Sequence, residues 1–272
     1  MVSSHGRFVW YELTTTDMEA AKAFYTEVVG WSARDASMPG SPSIVFSSGD
    51  ASVGGMMELP KDAGKMGERP MWIGYVYVDD VDATADRIKH LGGAVHIPPQ
   101  DILNVSRFSV VSDPQMATLA LFKWQSPGQE QPVNLQTQGG VGWHELLAAD
   151  SEQAWAFYSE LFGWQKAEVD ISAMGAYQQF SADGQTIGGM MTKPPTVPFS
   201  CWLYYFNVGD IDAAVKRVRA GSGQVLSGPI EVPPGNWIAQ CADPQGAIFA
   251  LAGRRGLGFF ERARSHQQPS PR

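Results

Sequence analysis

Apolar and polar positions along this chain fall into one recurring order: a short strand-like run, a helical stretch, then further short runs. Residues Phe8 to Thr14 mix apolar and polar side chains as a strand does. The period then changes, with Ala20, Ala21, Phe24, Tyr25 and Val28 at helical spacing, which predicts a helix with one apolar face. Thr16, with Glu19 three residues on, reads as a capping box, and Gly30 as the stop. Apolar runs at Ser43 to Ser47 and Ser52 to Met57 predict paired strands, and the polar stretch Lys61 to Arg69 a connector.

The order then restarts. Met71 to Val78 is an alternating aromatic and apolar strand, Asp80 caps a helix running through Leu91, and Gly92-Gly93 ends it. Strands are expected near Val95 to Ile97, Phe108 to Val111 and Thr118 to Lys123. Asp113-Pro114-Gln115 places Asp and Pro at the first two positions of a type I turn, so Asp113 reads as structural.

The second half of the chain repeats the first. Trp10 to Trp31 is matched by Trp143 to Trp164 at twelve of twenty-two positions, at a shift of 133. Gly54-Gly55-Met56-Met57 returns as Gly188-Gly189-Met190-Met191, and Trp72, Tyr75, Val78 and Asp80 return at a shift of 130. Four units of roughly 50 residues follow, and a unit whose sheet face is bare must pair with another. The expected organisation is a first domain over 1–124 (units 8–59 and 71–124), a polar exposed linker over 125–140, and a second domain over 141–253 (units 141–193 and 200–252). Residues 254–272 are expected to be a basic, flexible tail.

Composition narrows the function classes. A hydrophobic fraction of 44% supports a real core, and a net charge of −8 argues against a nucleic-acid partner, whose phosphates need clustered Lys and Arg. No apolar run is long enough to span a bilayer, which excludes a membrane role and points to a cytoplasmic protein. Cys201 and Cys241 are too few for a disulfide framework and read as structural thiols.

The helix-leading Asp, the Ala-Phe-Tyr segment closed by Gly-Trp, and the Asp-Pro turn before the last strand together resemble the vicinal oxygen chelate superfamily over about residues 8 to 252. That superfamily includes glyoxalase I, extradiol dioxygenases and bleomycin-resistance proteins. The resemblance implies an α+β fold in which four βαβββ modules pair into two incomplete eight-stranded barrels, each a cup with a ligand in its mouth. The first and second units would make one cup and the third and fourth the other, with exchange between halves left open. It also places Cys201 and Cys241 on strands separated by a third, too far apart for a disulfide.

Metal-using members of that superfamily carry a ligand seven residues before the helix-leading Asp and a Glu six residues after the Pro of the Asp-Pro turn. Here those positions hold Trp10, Ile73, Ala120, Trp143, Leu203 and Ala250, none of which binds a metal. The expectation is therefore no metal and no other cofactor. Strand alternation would turn Trp10 and Glu12 inward in the first cup and Trp143 and Glu145 in the second, facing Tyr75 and Tyr77, and Tyr205 and Asn207. Arg107, with Trp237 as its counterpart, would sit at the mouths, and His144 would face the opposite side.

Two readings stay open for the tryptophans, core plugs or ligand walls. For Glu12 and Glu145 there are three: structural carboxylates, ligand contacts or catalytic bases. The leading functional expectation is a metal-free glyoxalase- or bleomycin-resistance-like protein, monomeric or homodimeric, that binds a small organic molecule. The alternatives are a metal-dependent lyase, isomerase or dioxygenase drawing on Glu12, Glu58, Glu145 or His144, and an interaction protein with degenerate cups.

Overall fold

The computed structural model describes residues 4–37, 42–59, 69–126, 134–172 and 175–256. The first half contributes β1 (Phe8–Thr15), α1 (Met18–Val29), β2 (Ser32–Asp35), β3 (Ser43–Ser48), β4 (Ala51–Glu58), β5 (Met71–Tyr77), α2 (Val81–His90), β6 (Ala94–Ile102), β7 (Ser106–Ser112) and β8 (Thr118–Trp124). The second half contributes β9 (Val141–Ala148), α3 (Ser151–Phe162), β10 (Gln165–Ser172), β11 (Gly175–Ala182), β12 (Gln185–Thr192), β13 (Cys201–Asp210), α4 (Ile211–Ala220), β14 (Gln224–Val232), β15 (Asn236–Ala242) and β16 (Ile248–Arg254).

Each half folds into its own eight-stranded sheet, in the orders β2-β3-β4-β1-β5-β8-β7-β6 and β10-β11-β12-β9-β13-β16-β15-β14. Units therefore pair within halves, and neither sheet closes on itself. The central pair is antiparallel, β1 with β5 and β9 with β13, and parallel strands flank it on either side.

The four helices start alike. Asp17, Asp80, Asp150 and Asp210 each sit in extended backbone, with the side chain accepting from the first-turn amides. The first helix thus departs from the expected capping box, because Asp17 and not Thr16 takes the Ala20 amide, at 3.0 Å. Gly30 and Gly163 close their helices in the left-handed region, at φ of 88° and 67°. β2 was missed by its pattern: Ser-Ala-Arg-Asp is a short polar edge strand with no hydrophobic signature.

The main core lies between the two sheets and draws on both halves. The aromatic segments of α1 and α3 reach across it. Tyr25 donates to Asp243 and Tyr158 to Asp113, each at 3.0 Å, while Trp72 and Trp202 donate to those same tyrosine hydroxyls. Asp113 and Asp243 also hold their own turns, each accepting two backbone amides through Oδ1. The turn aspartates are structural, and they lock one half to the other.

At the middle of this core the repeat supplies unlike partners. His144 stands where the first half has Tyr11, and the two meet at 2.6 Å between Nε2 and the hydroxyl. The Nδ1 of His144 donates to the Ile187 carbonyl, which leaves Nε2 to accept from Tyr11. Burial holds the imidazole neutral, with its pKa lowered to about 4. Tyr204 fills the space over Gly74, and its hydroxyl oxygen accepts from the Gly74 amide at 2.7 Å.

Part of the expected linker is not exposed. Leu135 and Gly139 are buried, the Trp31 indole donates to the Gly139 carbonyl, and the Ser48 hydroxyl to the Gln138 carbonyl. Most of the expected tail, 257–272, lies outside the described residues. Arg255 is held by Asp212 and stacks on Trp237 at 3.6 Å.

Candidate functional site

The strands that present Leu13 and Leu146 to the core present a second face to a concave surface on each sheet. In β1 the alternation is offset near its start, where the pairing with β5 shifts between Phe8 and Trp10. Phe8 consequently joins the main core, while Trp10 and Glu12 turn into the first cup. Ile73, Tyr75, Ala120 and Phe122 form the floor, with Tyr77, Phe108 and Trp124 packed around them. The second cup is a smaller cluster of Leu203, Tyr205 and Ala250 with Trp143 and Ile238.

Glu12 and Glu145 occupy matching places and have different surroundings. Glu145 is buried and accepts from the Tyr205 hydroxyl at 2.7 Å and from the Gln240 amide at 3.2 Å, with the Tyr177 hydroxyl also bonded to it. Trp143 donates to Tyr177 at 2.7 Å, so the whole group is mutually satisfied. Burial raises the Glu145 pKa, and the three donors partly offset it.

In the first cup two of those donors are gone. Through the strand register Ser43 stands where Tyr177 is, and Val110 where Gln240 is. Among the described residues Glu12 is left with one donor, the Trp10 indole at 2.8 Å on Oε2. Burial, opposed only by that bond, pushes its pKa up to about 7. Tyr75 has no hydrogen-bond partner among the described residues, and burial followed by the Glu12 charge raises its pKa. Gly55 lies directly beneath the Glu12 carboxylate, where any Cβ would strike it.

Two expected site residues are placed differently. Arg107 faces the helix side, because Phe108 and Val110 take the cup face of β7; its guanidinium is held by Asp82 and Asp101. Trp237 likewise faces away, since Ile238 takes the cup face of β15. Asn207 lies on the cup side of β13, yet its amide is spent on the carbonyls of Leu135 and Thr137. His144 faces the core, as alternation implied. Cys201 and Cys241 are free and lie on β13 and β15, with β16 between them.

Sequence reading missed Tyr177 and Gln240, because the meaning of a Ser43 or a Val110 depends on a register that only the assembled sheet supplies. Comparing the two copies position by position along β3 with β11 and β7 with β15 would have exposed the difference.

The positions where the fold would hold a metal carry no donors: Trp10, Ile73 and Ala120 offer an indole and two hydrocarbon side chains. Glu12 is the only carboxylate on β1, β5, β7 or β8. Glu58 is exposed at the end of β4, and both ring nitrogens of His144 are engaged in the core. Among the described residues no group of three or more His, Cys, Asp or Glu is placed to hold an ion. The described residues at these positions do not fit a metal centre. A groove of about 480 Å³ between α1 and α4 lies apart from both cups, and its arginine, Arg217, is bound to the Val28 carbonyl.

Among the described residues, no helix is long and apolar enough to cross a membrane. The chain is 36% identical over 246 residues to "Putative glyoxylase CFP32" of Mycobacterium tuberculosis, covering 89% of this chain and 92% of that one. It is 28% identical over 257 residues to the anthracycline biosynthesis protein DnrV of Streptomyces peucetius, covering 90% and 92%. Among solved structures, the Mn(II)-bound glyoxalase from Novosphingobium aromaticivorans matches with a TM-score of 0.62 at 14% identity, over 93% of this chain and 84% of that one. The profile of the Glyoxalase/Bleomycin resistance protein/Dioxygenase superfamily matches residues 7–121 and 140–251, and the chain belongs to that superfamily.

Proposed function

We propose that the first cup binds a flat, largely apolar small molecule carrying a hydrogen-bond donor, without a metal, and that the second cup is closed by its own side chains. The observation that carries this reading is the unequal supply of donors to Glu12 and Glu145. A half-buried carboxyl with one donor retains capacity for a ligand, whereas a buried one with three does not. The aromatic walls of the first cup suit a planar ring system. The name of the Streptomyces relative, an anthracycline biosynthesis protein, points in the same direction, since anthracyclines are fused planar rings.

The test is a titration of chelator-treated protein with 2-hydroxyanthraquinone, followed by tryptophan fluorescence. The reading expects saturable quenching that Trp10→Phe diminishes and Glu12→Gln weakens about tenfold, the loss of one hydrogen bond to a charged group. Quenching that appears only after a divalent metal is restored would refute it.

A further inference from the structure

The arrangement of Glu12 and Tyr75 suits work beyond holding a ligand, and the second cup supplies the internal comparison. There the equivalent pair, Glu145 and Tyr205, is joined by a 2.7 Å hydrogen bond and clamped by Gln240, which contacts both. In the first cup Val110 replaces Gln240, the Glu12 carboxyl turns to Trp10, and the Tyr75 hydroxyl has no partner among the described residues. The two groups remain near enough for the carboxylate charge to act on the phenol. An acceptor and a donor thus stand apart where their counterparts are closed on each other.

We infer that the first cup is a metal-free proton-transfer site, in which Glu12 removes a proton from the carbon between the ring and the carbonyl of a bound α-aryl ketone while Tyr75 hydrogen-bonds the carbonyl oxygen. The inference rests on the reading of this cup as the binding site. The C–H bond breaks, its proton passes to the Glu12 carboxylate, and its electron pair becomes the carbon–carbon double bond of an enolate. The carbonyl π pair moves to the oxygen, where the Tyr75 O–H meets the developing charge. Once the Glu12 carboxyl has swapped that proton for one from solvent, protonation of the same carbon completes an exchange, and protonation at a conjugated carbon isomerises the ligand. Nothing is oxidised or reduced, so no further reactant is required.

The substrate class follows from the site. Aromatic walls select a flat ring, and a carboxylate acting without a metal needs a C–H bond activated from two sides, by a carbonyl and by an aryl group. A carboxyl that titrates near neutrality both accepts and returns a proton at ordinary pH, and the raised pKa of Tyr75 keeps its hydroxyl a donor.

The experiment follows 2-tetralone in D₂O by proton NMR with the full-length, chelator-treated protein. Its binding is measured separately, by displacement of 2-hydroxyanthraquinone. The expected result is loss of the signal of the methylene between ring and carbonyl at least about 100-fold faster than in buffer, the usual gain from a positioned base. The rate should follow deprotonation of a single group near pH 7. Glu12→Gln should return the rate to that of buffer with 2-tetralone still bound, and Tyr75→Phe should lower it about tenfold or more. Tyr177→Phe, in the other cup, should leave it unchanged. Glu12→Ala, checked by circular dichroism, serves if Glu12→Gln does not fold. Exchange at the buffer rate with 2-tetralone bound overturns the inference and leaves the binding reading standing. Failure of both compounds to bind overturns both, and exchange that survives Glu12→Gln overturns the assignment of the base.

Discussion

Glu12→Gln should reshape the dependence of stability on pH, and the sign can be worked from two groups. The Glu12 pKa is raised in the fold from 4.5 to about 7, so between those values the folded chain holds a proton that the unfolded chain has lost. Its contribution is fully present below pH 4.5 and is lost as pH rises through 7. The His144 pKa is lowered from 6.5 to about 4, so between those values the unfolded chain holds the extra proton. That contribution is present above pH 6.5 and is lost as pH falls through 4. Each displacement is worth at most about 3.4 kcal/mol at 1.36 kcal/mol per pH unit, and less for Glu12, which is only half-buried and partly screened by water. In the wild type the two slopes oppose each other between about pH 4.5 and 6.5 and largely cancel. In Glu12→Gln only the His144 slope remains, so stability should rise from pH 4.5 to 6.5 and then level off. The glutamine keeps an oxygen for the Trp10 indole, so packing is little disturbed. Urea unfolding at half-unit steps from pH 4.5 to 8.5 measures the difference. The variant should gain about 1–3 kcal/mol on the wild type across that range. A difference constant with pH would refute the reasoning.

Other perturbations probe other parts of the structure. Gly55→Ala should displace the Glu12 carboxylate, which is the flexible end of a side chain, and so abolish quenching by 2-hydroxyanthraquinone while costing under about 1 kcal/mol in urea unfolding. Tyr158→Phe should cost about 1–3 kcal/mol by the same assay, because buried Asp113 loses a donor from the other half and the Trp202 indole loses its acceptor. His144→Phe should leave only the Glu12 slope, so that stability rises as pH falls from 7 to 4.5, on top of a constant cost from the stranded Tyr11 hydroxyl and Ile187 carbonyl.

The fold was largely legible because its signals are local and repeated. The four helix-leading aspartates, the Gly30 and Gly163 stops and the Asp-Pro turns act within a few residues of themselves. The alternation that sends Trp10 and Glu12 one way and Tyr11 the other is equally local. What was hidden depends on assembly. Arg107 and Trp237 were assigned to the mouths from chain order, whereas their faces follow from which neighbours pack into the cup. Leu135 and Gly139 sit in a polar stretch whose packing is set by Trp31 and Asn207 from elsewhere. The difference between Glu12 and Glu145 is invisible in the repeated Trp-x-Glu-Leu motif and arises on other strands, where Tyr177 and Gln240 replace Ser43 and Val110.

A crystal structure of chelator-treated protein with 2-hydroxyanthraquinone tests most directly whether the first cup is the open, metal-independent site. The account predicts one molecule per chain, lying against Trp10 with a polar group on Glu12, and no ligand in the second cup. A molecule seated on Tyr205 and Trp143, or bound in the first cup only through an added metal ion, would contradict it.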